Sequence, residues 1–159
     1  MTKRLISLVF ALASWLSTAV AQHMSSQVVL YCADLKRVAA LATTEQRFAP
    51  IRGKPRDGNF SETSLPLTGW KDCSLYGTGT YTCDSHAVVS AQEAEKLQAG
   101  TLHDVQACLG EEWSEVKNRS SARYVILHKL AHPVSITLST DQTDRNEHVV
   151  RLILFIRGN

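Results

Sequence analysis

The sequence predicts an α+β protein in which helices pack on one face of an antiparallel sheet and disulfide bonds hold the layers together. Two segments repeat apolar residues at the three- and four-residue spacing of a helix, whereas others alternate apolar and polar residues as half-buried strands do. The predicted order is helix, β-hairpin, helix and three-stranded antiparallel meander. No helix separates the last three strands, so they favour antiparallel pairing, with the helices gathered on one face of the sheet.

Residues 1–21 are typical of a secretory signal peptide. Two basic residues precede an apolar region at 5–16, and residues 19–21 have the small-x-small pattern of a cleavage site. The apolar region is shorter than the roughly 20 residues that a membrane span needs. We therefore expect a periplasmic or secreted protein that has no membrane span after cleavage.

Residues 22–159 are predicted to form a single α+β domain, because a chain of this length can bury a core of its own. The whole sequence has 17 Lys and Arg residues against 15 Asp and Glu residues. Two of the basic residues belong to the signal peptide, so the formal charge of the mature chain is zero. A neutral domain has no overall field that attracts nucleic acid or anionic lipid, so we expect neither as a partner.

The mature part contains four cysteines, and an even number in an exported chain is typical of disulfide bonds. Three pairings are possible. We favour Cys32–Cys73 with Cys83–Cys108, because each bond would then join a helix to a strand. The main alternative is Cys73–Cys83 across the hairpin with Cys32–Cys108 between the helices.

The first helix is predicted to end near Arg47, because Pro50 follows it. The next residues, 48–69, show no periodicity and contain six Pro and Gly residues, so we predict a long irregular loop. The helix has an apolar face that includes one cysteine and consists of Val28, Tyr31, Cys32, Leu35, Val38, Ala39 and Ala42.

A second helix is predicted to begin after Ser90, which forms a capping box with Glu93, and to end at Gly110. Its expected buried face consists of Ala94, Leu97, Thr101, Leu102, Val105, Cys108 and Leu109. The hairpin before it has a Gly-Thr-Gly turn, which places Tyr76 opposite Thr80. The three later strands are predicted near residues 124–128, 134–139 and 148–157.

The long loop is the predicted partner-binding element, with a solvated surface loop as the alternative. Phe60 or Leu65 would anchor in a pocket of the partner, while three basic residues of the loop would meet carboxylates, namely Arg52, Lys54 and Arg56. Trp70 and Trp113 stand at the two ends of the segment that carries the strand cysteines. We interpret them as core residues packed on the disulfides, and the alternative is that they line a partner-binding groove.

We identify no catalytic motif, no metal-ligand spacing and no cofactor-binding motif in the sequence. His128 and His132 would stand about 13 Å apart on a strand, which is too far for one zinc ion. Asp84 and His86 share a face if both belong to a strand, so they could do acid–base work. A polar strand end that leads into the helix cap is the simpler interpretation.

These observations favour a non-enzymatic interaction protein whose partner is another protein, such as an inhibitor, an immunity-type protein or an envelope assembly factor. The export signal, the expected disulfides, the neutral charge and the basic loop support this hypothesis. The alternative is a small periplasmic enzyme or ligand-binding protein with its site near Asp84 and His86.

Overall fold

A computed structural model describes residues 31–117, 119–121 and 123–157. The predicted signal peptide, its cleavage site and the first part of the first predicted helix lie outside these residues. Within the described ranges, no helix is long and apolar enough to cross a membrane.

The described residues form two α-helices, one short 3-10 helix (Ala49–Ile51) and one antiparallel sheet of eight strands. Helix α1 covers residues 31–41, and helix α2 covers Ala91–Leu109. The strands are β1 (Arg52–Pro55), β2 (Phe60–Thr63), β3 (Lys71–Tyr76), β4 (Thr80–Asp84), β5 (Trp113–Glu115), β6 (Tyr124–Lys129), β7 (Val134–Gln142) and β8 (His148–Ile156). The coarse α+β class is confirmed, but the predicted layout is not, because the sequence predicted five strands and the structure has eight.

The chain is built from two halves with the same order of elements. Each half is a helix followed by four strands that pair with their neighbours in sequence, and the order across the sheet is β1-β2-β3-β4-β8-β7-β6-β5. The last strands of the two halves pair at the centre, where Thr82 of β4 lies opposite Ile153 of β8. The sequence shows no matching repeat, so this similarity is visible only in the topology.

The prediction of an irregular loop over residues 48–69 is wrong, because these residues contain strands β1 and β2. Strand β1 is short, fully exposed and placed at the edge of the sheet. An edge strand tolerates Pro and charged residues, since one side of its backbone needs no partner strand. The alternating pattern that marks a half-buried strand is therefore missing from β1.

The core lies against one face of the sheet. Alternate residues of the central strands, such as Tyr81 and Leu152, join the same buried cluster as Leu35 of α1 and Val105 of α2. Helix α2 contacts β5, β7 and β8. As predicted, Ser90 caps this helix by accepting a hydrogen bond from the Glu93 amide, and Gly110 ends it with a positive φ of 95°.

The disulfide pairing that we favoured from the sequence is wrong. The structure has Cys32–Cys108 between the helices and Cys73–Cys83 between β3 and β4. The Cα atoms of Cys73 and Cys83 are 4.0 Å apart, because the strands pair directly and place both side chains on the core face. Once this pair has formed, each helix cysteine can bond only to the other.

Candidate functional site

The sheet has a second face, opposite the core, that carries partly exposed side chains. We call it the open face and define it by two rows that run across paired strands. One row is Phe60, Tyr76, Thr80, Phe155, Ser135 and His128, and the other is Glu62, Ser74, Thr82, Ile153, Thr137 and Ile126. Because side chains alternate along a strand, these residues point away from the core.

Three aromatic side chains of the open face are exposed to solvent. Phe60 is 42% exposed, Tyr76 is 47% exposed and Phe155 is 37% exposed. The Phe60 and Tyr76 rings are 4.9 Å apart and tilted, which is a favourable arrangement for an aromatic pair. Exposed aromatic side chains that lie close together are typical of binding surfaces.

A shallow depression of about 350 Å³ lies beside this aromatic pair. It crosses four neighbouring strands, from β2 to β4 and on to β8, so both halves of the chain contribute to it. Its lining combines aromatic, hydroxyl and charged side chains, namely Phe60, Asp72, Ser74, Tyr76, Thr80, Thr82, Asp84, Arg151 and Ile153.

One end of the depression is formed by an ion-pair network around Arg151. Its Nε lies 2.6 Å from Asp84 Oδ1, and its Nη2 lies 2.9 Å from Asp84 Oδ2. Its Nη1 lies 3.1 Å from Asp141 Oδ2, which also accepts a hydrogen bond from the Ser139 hydroxyl. The hydrogen bonds to Asp84 raise the pKa of Arg151, so the guanidinium stays charged and is held in place.

The lining of the depression carries two carboxylates, Asp72 and Asp84, against one cation, Arg151. Four carboxylates lie on or beside the open face, namely Glu62, Asp72, Asp84 and Asp141. The cations near the face are Arg151, Lys71, whose Cα is paired with that of Asp84, and Arg52, which lies in a neighbouring groove with Phe60. The excess of one negative charge therefore belongs to the lining of the depression and not to the whole face.

The structure places the predicted partner-binding residues in different environments. Phe60 lines the depression, and Lys54 and Arg56 are exposed on and after β1. Arg52 donates to the Ser61 hydroxyl at 2.9 Å and to the Gly77 carbonyl, so it fastens β1 to its neighbours. Whether any of these residues contacts a partner stays a prediction.

Trp70 and Trp113 both pack against other ring side chains of the protein. Trp70 is half-buried and stacks on Tyr31, with 5.8 Å between ring centroids. Trp113 is 4% exposed and packs on His132. In this conformation the Trp113 ring offers almost no surface to a partner.

The alternative polar site is not assembled as the sequence suggested. Asp84 directs both carboxylate oxygens to Arg151, while His86 lies beyond the end of β4 and is exposed. In the part of the chain that the structure describes, no three His, Cys, Asp or Glu side chains are grouped to hold a metal ion. Asp84 therefore lines the depression together with Arg151 instead of His86.

The most strongly shifted ionisable groups belong to the core and not to the depression. Burial raises the pKa of Tyr31 and of Tyr81 above the usual tyrosine value, and the nearby carboxylates Asp104 and Asp34 add to this. Tyr81 donates its hydroxyl proton to the Leu65 carbonyl at 2.9 Å. These two phenols stay protonated and serve packing.

Sequence reasoning gave no site role to the exposed aromatic residues Tyr76 and Phe155, nor to Arg151 and Asp141 at the end of the depression. A signal for Arg151 existed, because it is the one charged residue within the apolar stretch of the last strand. Its partners come from two other strands, so the sequence alone could not identify the network. Comparisons of the chain with protein-family models, with curated proteins and with solved structures found no match.

Proposed function

We propose that this chain is an exported, disulfide-bonded protein that binds another protein through the open face of its sheet. The observation that carries the proposal is the exposed aromatic group Phe60, Tyr76 and Phe155 beside a depression with charged walls. Aromatic and arginine side chains are enriched at protein interfaces, where they supply most of the binding energy. The proposed binding surface is the open face of the sheet, whereas the sequence favoured the segment of residues 48–69. Phe60 belongs to both.

The rigidity of the sheet supports a binding role. The Cys73–Cys83 disulfide crosses from β3 to β4 on the core side, beneath strands that line the depression. A braced surface loses little conformational freedom when a partner binds, so less of the interaction energy is consumed by ordering. Two disulfides are also consistent with an oxidising compartment outside the cytoplasm. An inhibitor, an immunity-type protein or an envelope assembly factor would use such a surface.

A photo-cross-linking experiment tests the proposal. The photoreactive amino acid p-benzoylphenylalanine replaces Tyr76 or Phe155 in the full-length chain, which is expressed in its own organism and irradiated. We expect both positions to give the same cross-linked protein. Lys96, which is exposed on α2, is the control position, and Lys54 tests the basic segment that the sequence favoured.

The positions distinguish the outcomes. Adducts at Tyr76 and Phe155 with none at Lys96 would support binding by the open face. Adducts at Lys54 alone would instead support partner binding by the basic segment that contains Lys54. No protein adduct at Tyr76 or Phe155 would refute the proposal.

A second candidate is a small-ligand site at the Asp84 and Arg151 end of the depression. The volume of about 350 Å³ lies near the lower limit of ligand pockets, which favours this candidate. An anionic ligand would have to displace Asp84 or Asp141 from Arg151. Isothermal titration of the purified chain with a panel of small carboxylates tests it, and binding that persists in Arg151→Met would exclude this site.

A further inference from the structure

We infer that the partner presents a cationic segment to the open face, with a lysine or arginine side chain entering the depression between the aromatic pair and the carboxylates. This inference rests on the proposed function and adds the chemistry of the partner. It rests on the charge of the depression lining, on the acceptors inside the depression and on the position of the aromatic rings.

The charge of the depression lining favours a cation. The Arg151 guanidinium already interacts with Asp84 and Asp141, so it is poorly placed to attract an anionic partner. Glu62 and Asp72 are exposed, and among the described residues neither side chain forms a salt bridge. These two carboxylates therefore give the rim a negative potential that steers positive groups toward it.

The floor of the depression offers oxygen atoms to a donor. Ser74, Thr80 and Thr82 line it with hydroxyl groups from adjacent strands. An ammonium or guanidinium group that enters the depression can donate to hydroxyl oxygens of this kind.

The aromatic wall suits the same occupant. The faces of phenylalanine and tyrosine rings attract a cation within about 6 Å, and their apolar surface covers the methylene stem of a long basic side chain. Phe60 and Tyr76 stand next to Asp72 in the depression, so a ring and a carboxylate are both available to one side chain. A second copy of the same face would instead bring like charges together, which disfavours a face-to-face dimer.

The test measures cross-linking from the Tyr76 position after the charge of the rim has been changed. Glu62→Lys with Asp72→Asn raises the charge of the rim by three units. Asn is chosen at position 72 because Asp72 has a positive φ of 48°, a conformation that Asn tolerates. The matched control is Glu45→Lys with Asp144→Asn, which makes the same charge change at two exposed positions outside the open face.

We expect the yield of the Tyr76 adduct to fall about tenfold in the rim variant and to stay unchanged in the control. Each exposed ion pair contributes up to about fivefold in affinity, and Glu62→Lys also replaces attraction by repulsion. For the chain without rim changes, the yield in an envelope extract should fall as NaCl rises from 50 to 500 mM, because salt screens exposed charges.

Two failures can be told apart. An adduct whose yield does not depend on the rim charge or on salt would overturn the cationic partner and leave the proposed function intact. An increased yield in the rim variant would mean an anionic partner and would overturn it equally. Absence of any Tyr76 adduct in the chain without rim changes would remove the proposed function and this inference together.

Discussion

Removal of either disulfide should destabilise the protein, and the Cys32–Cys108 bond should matter more. This bond closes a loop of 76 residues, whereas Cys73–Cys83 closes one of 10. In the chain-entropy model, the longer loop corresponds to a stabilisation of about 4.5 kcal/mol and the shorter one to about 2.7 kcal/mol. We therefore expect Cys32→Ala with Cys108→Ala to cost about 1.8 kcal/mol more than Cys73→Ala with Cys83→Ala.

Urea unfolding without reductant measures the free energy of unfolding of both double variants and of the native chain. The comparison is balanced, because each variant removes two sulfur atoms, at least one of which is buried, and replaces them by the same side chain. Equal losses, or a larger loss from the Cys73 and Cys83 pair, would contradict the entropic argument.

The pairing itself can be tested by tryptic digestion without reduction. No Lys or Arg lies between Cys73 and Cys83, so both belong to one peptide that ends at Lys96. With the pairing in the structure, that peptide carries an internal bond and the Cys32 and Cys108 peptides are joined to each other. Three peptides joined in one species would refute this pairing, since both other pairings connect all three.

Three further predictions concern single residues. Arg151→Met should cost about 1 kcal/mol in urea unfolding, because it leaves Asp84 beside another carboxylate at a partly exposed site, and the cost should shrink when Asp84→Asn is already present. Gln98→Leu should lower stability by about 1–3 kcal/mol in thermal unfolding, because the buried Gln98 amide donates to the Leu138 carbonyl at 2.8 Å; a neutral result would contradict this. Burial, with Lys129 and Arg157 nearby, lowers the pKa of His132 in the folded protein. The contribution of His132 to the free energy of unfolding is therefore full above pH 6.5 and is lost as the pH falls through the lowered pKa. His132→Phe should remove that part of the pH dependence of the free energy of unfolding.

Local signals in the sequence were sufficient to predict helix α2 and the hairpin formed by β3 and β4. Ser90 and Gly110 limit α2 because a cap needs only neighbouring backbone groups. Tyr76 lies opposite Thr80 because a short turn fixes the register of the strands that it joins. Each of these features depends on residues a few positions apart, so one sequence is enough to identify them.

Features that depend on distant residues could not be predicted in the same way. Gln98 is 5% exposed, whereas Leu97, which the periodicity placed in the core, is 36% exposed. The reason is that the Gln98 amide reaches the Leu138 carbonyl of β7, forty residues away. A polar side chain can be buried when a partner is available, and the partner is known only once the strand is in place.

The two-halved topology gives each disulfide a different relation to the candidate site. The aromatic side chains Phe60 and Tyr76 belong to the first half, whereas Arg151 and Ile153 come from the last strand of the second half. The depression is therefore formed at the junction where β4 pairs with β8. One disulfide, Cys73–Cys83, braces the strands within the first half, and the other, Cys32–Cys108, joins the helices of the two halves. Loss of the bond between the halves should loosen the junction and weaken binding at the open face even when each half keeps its own strands.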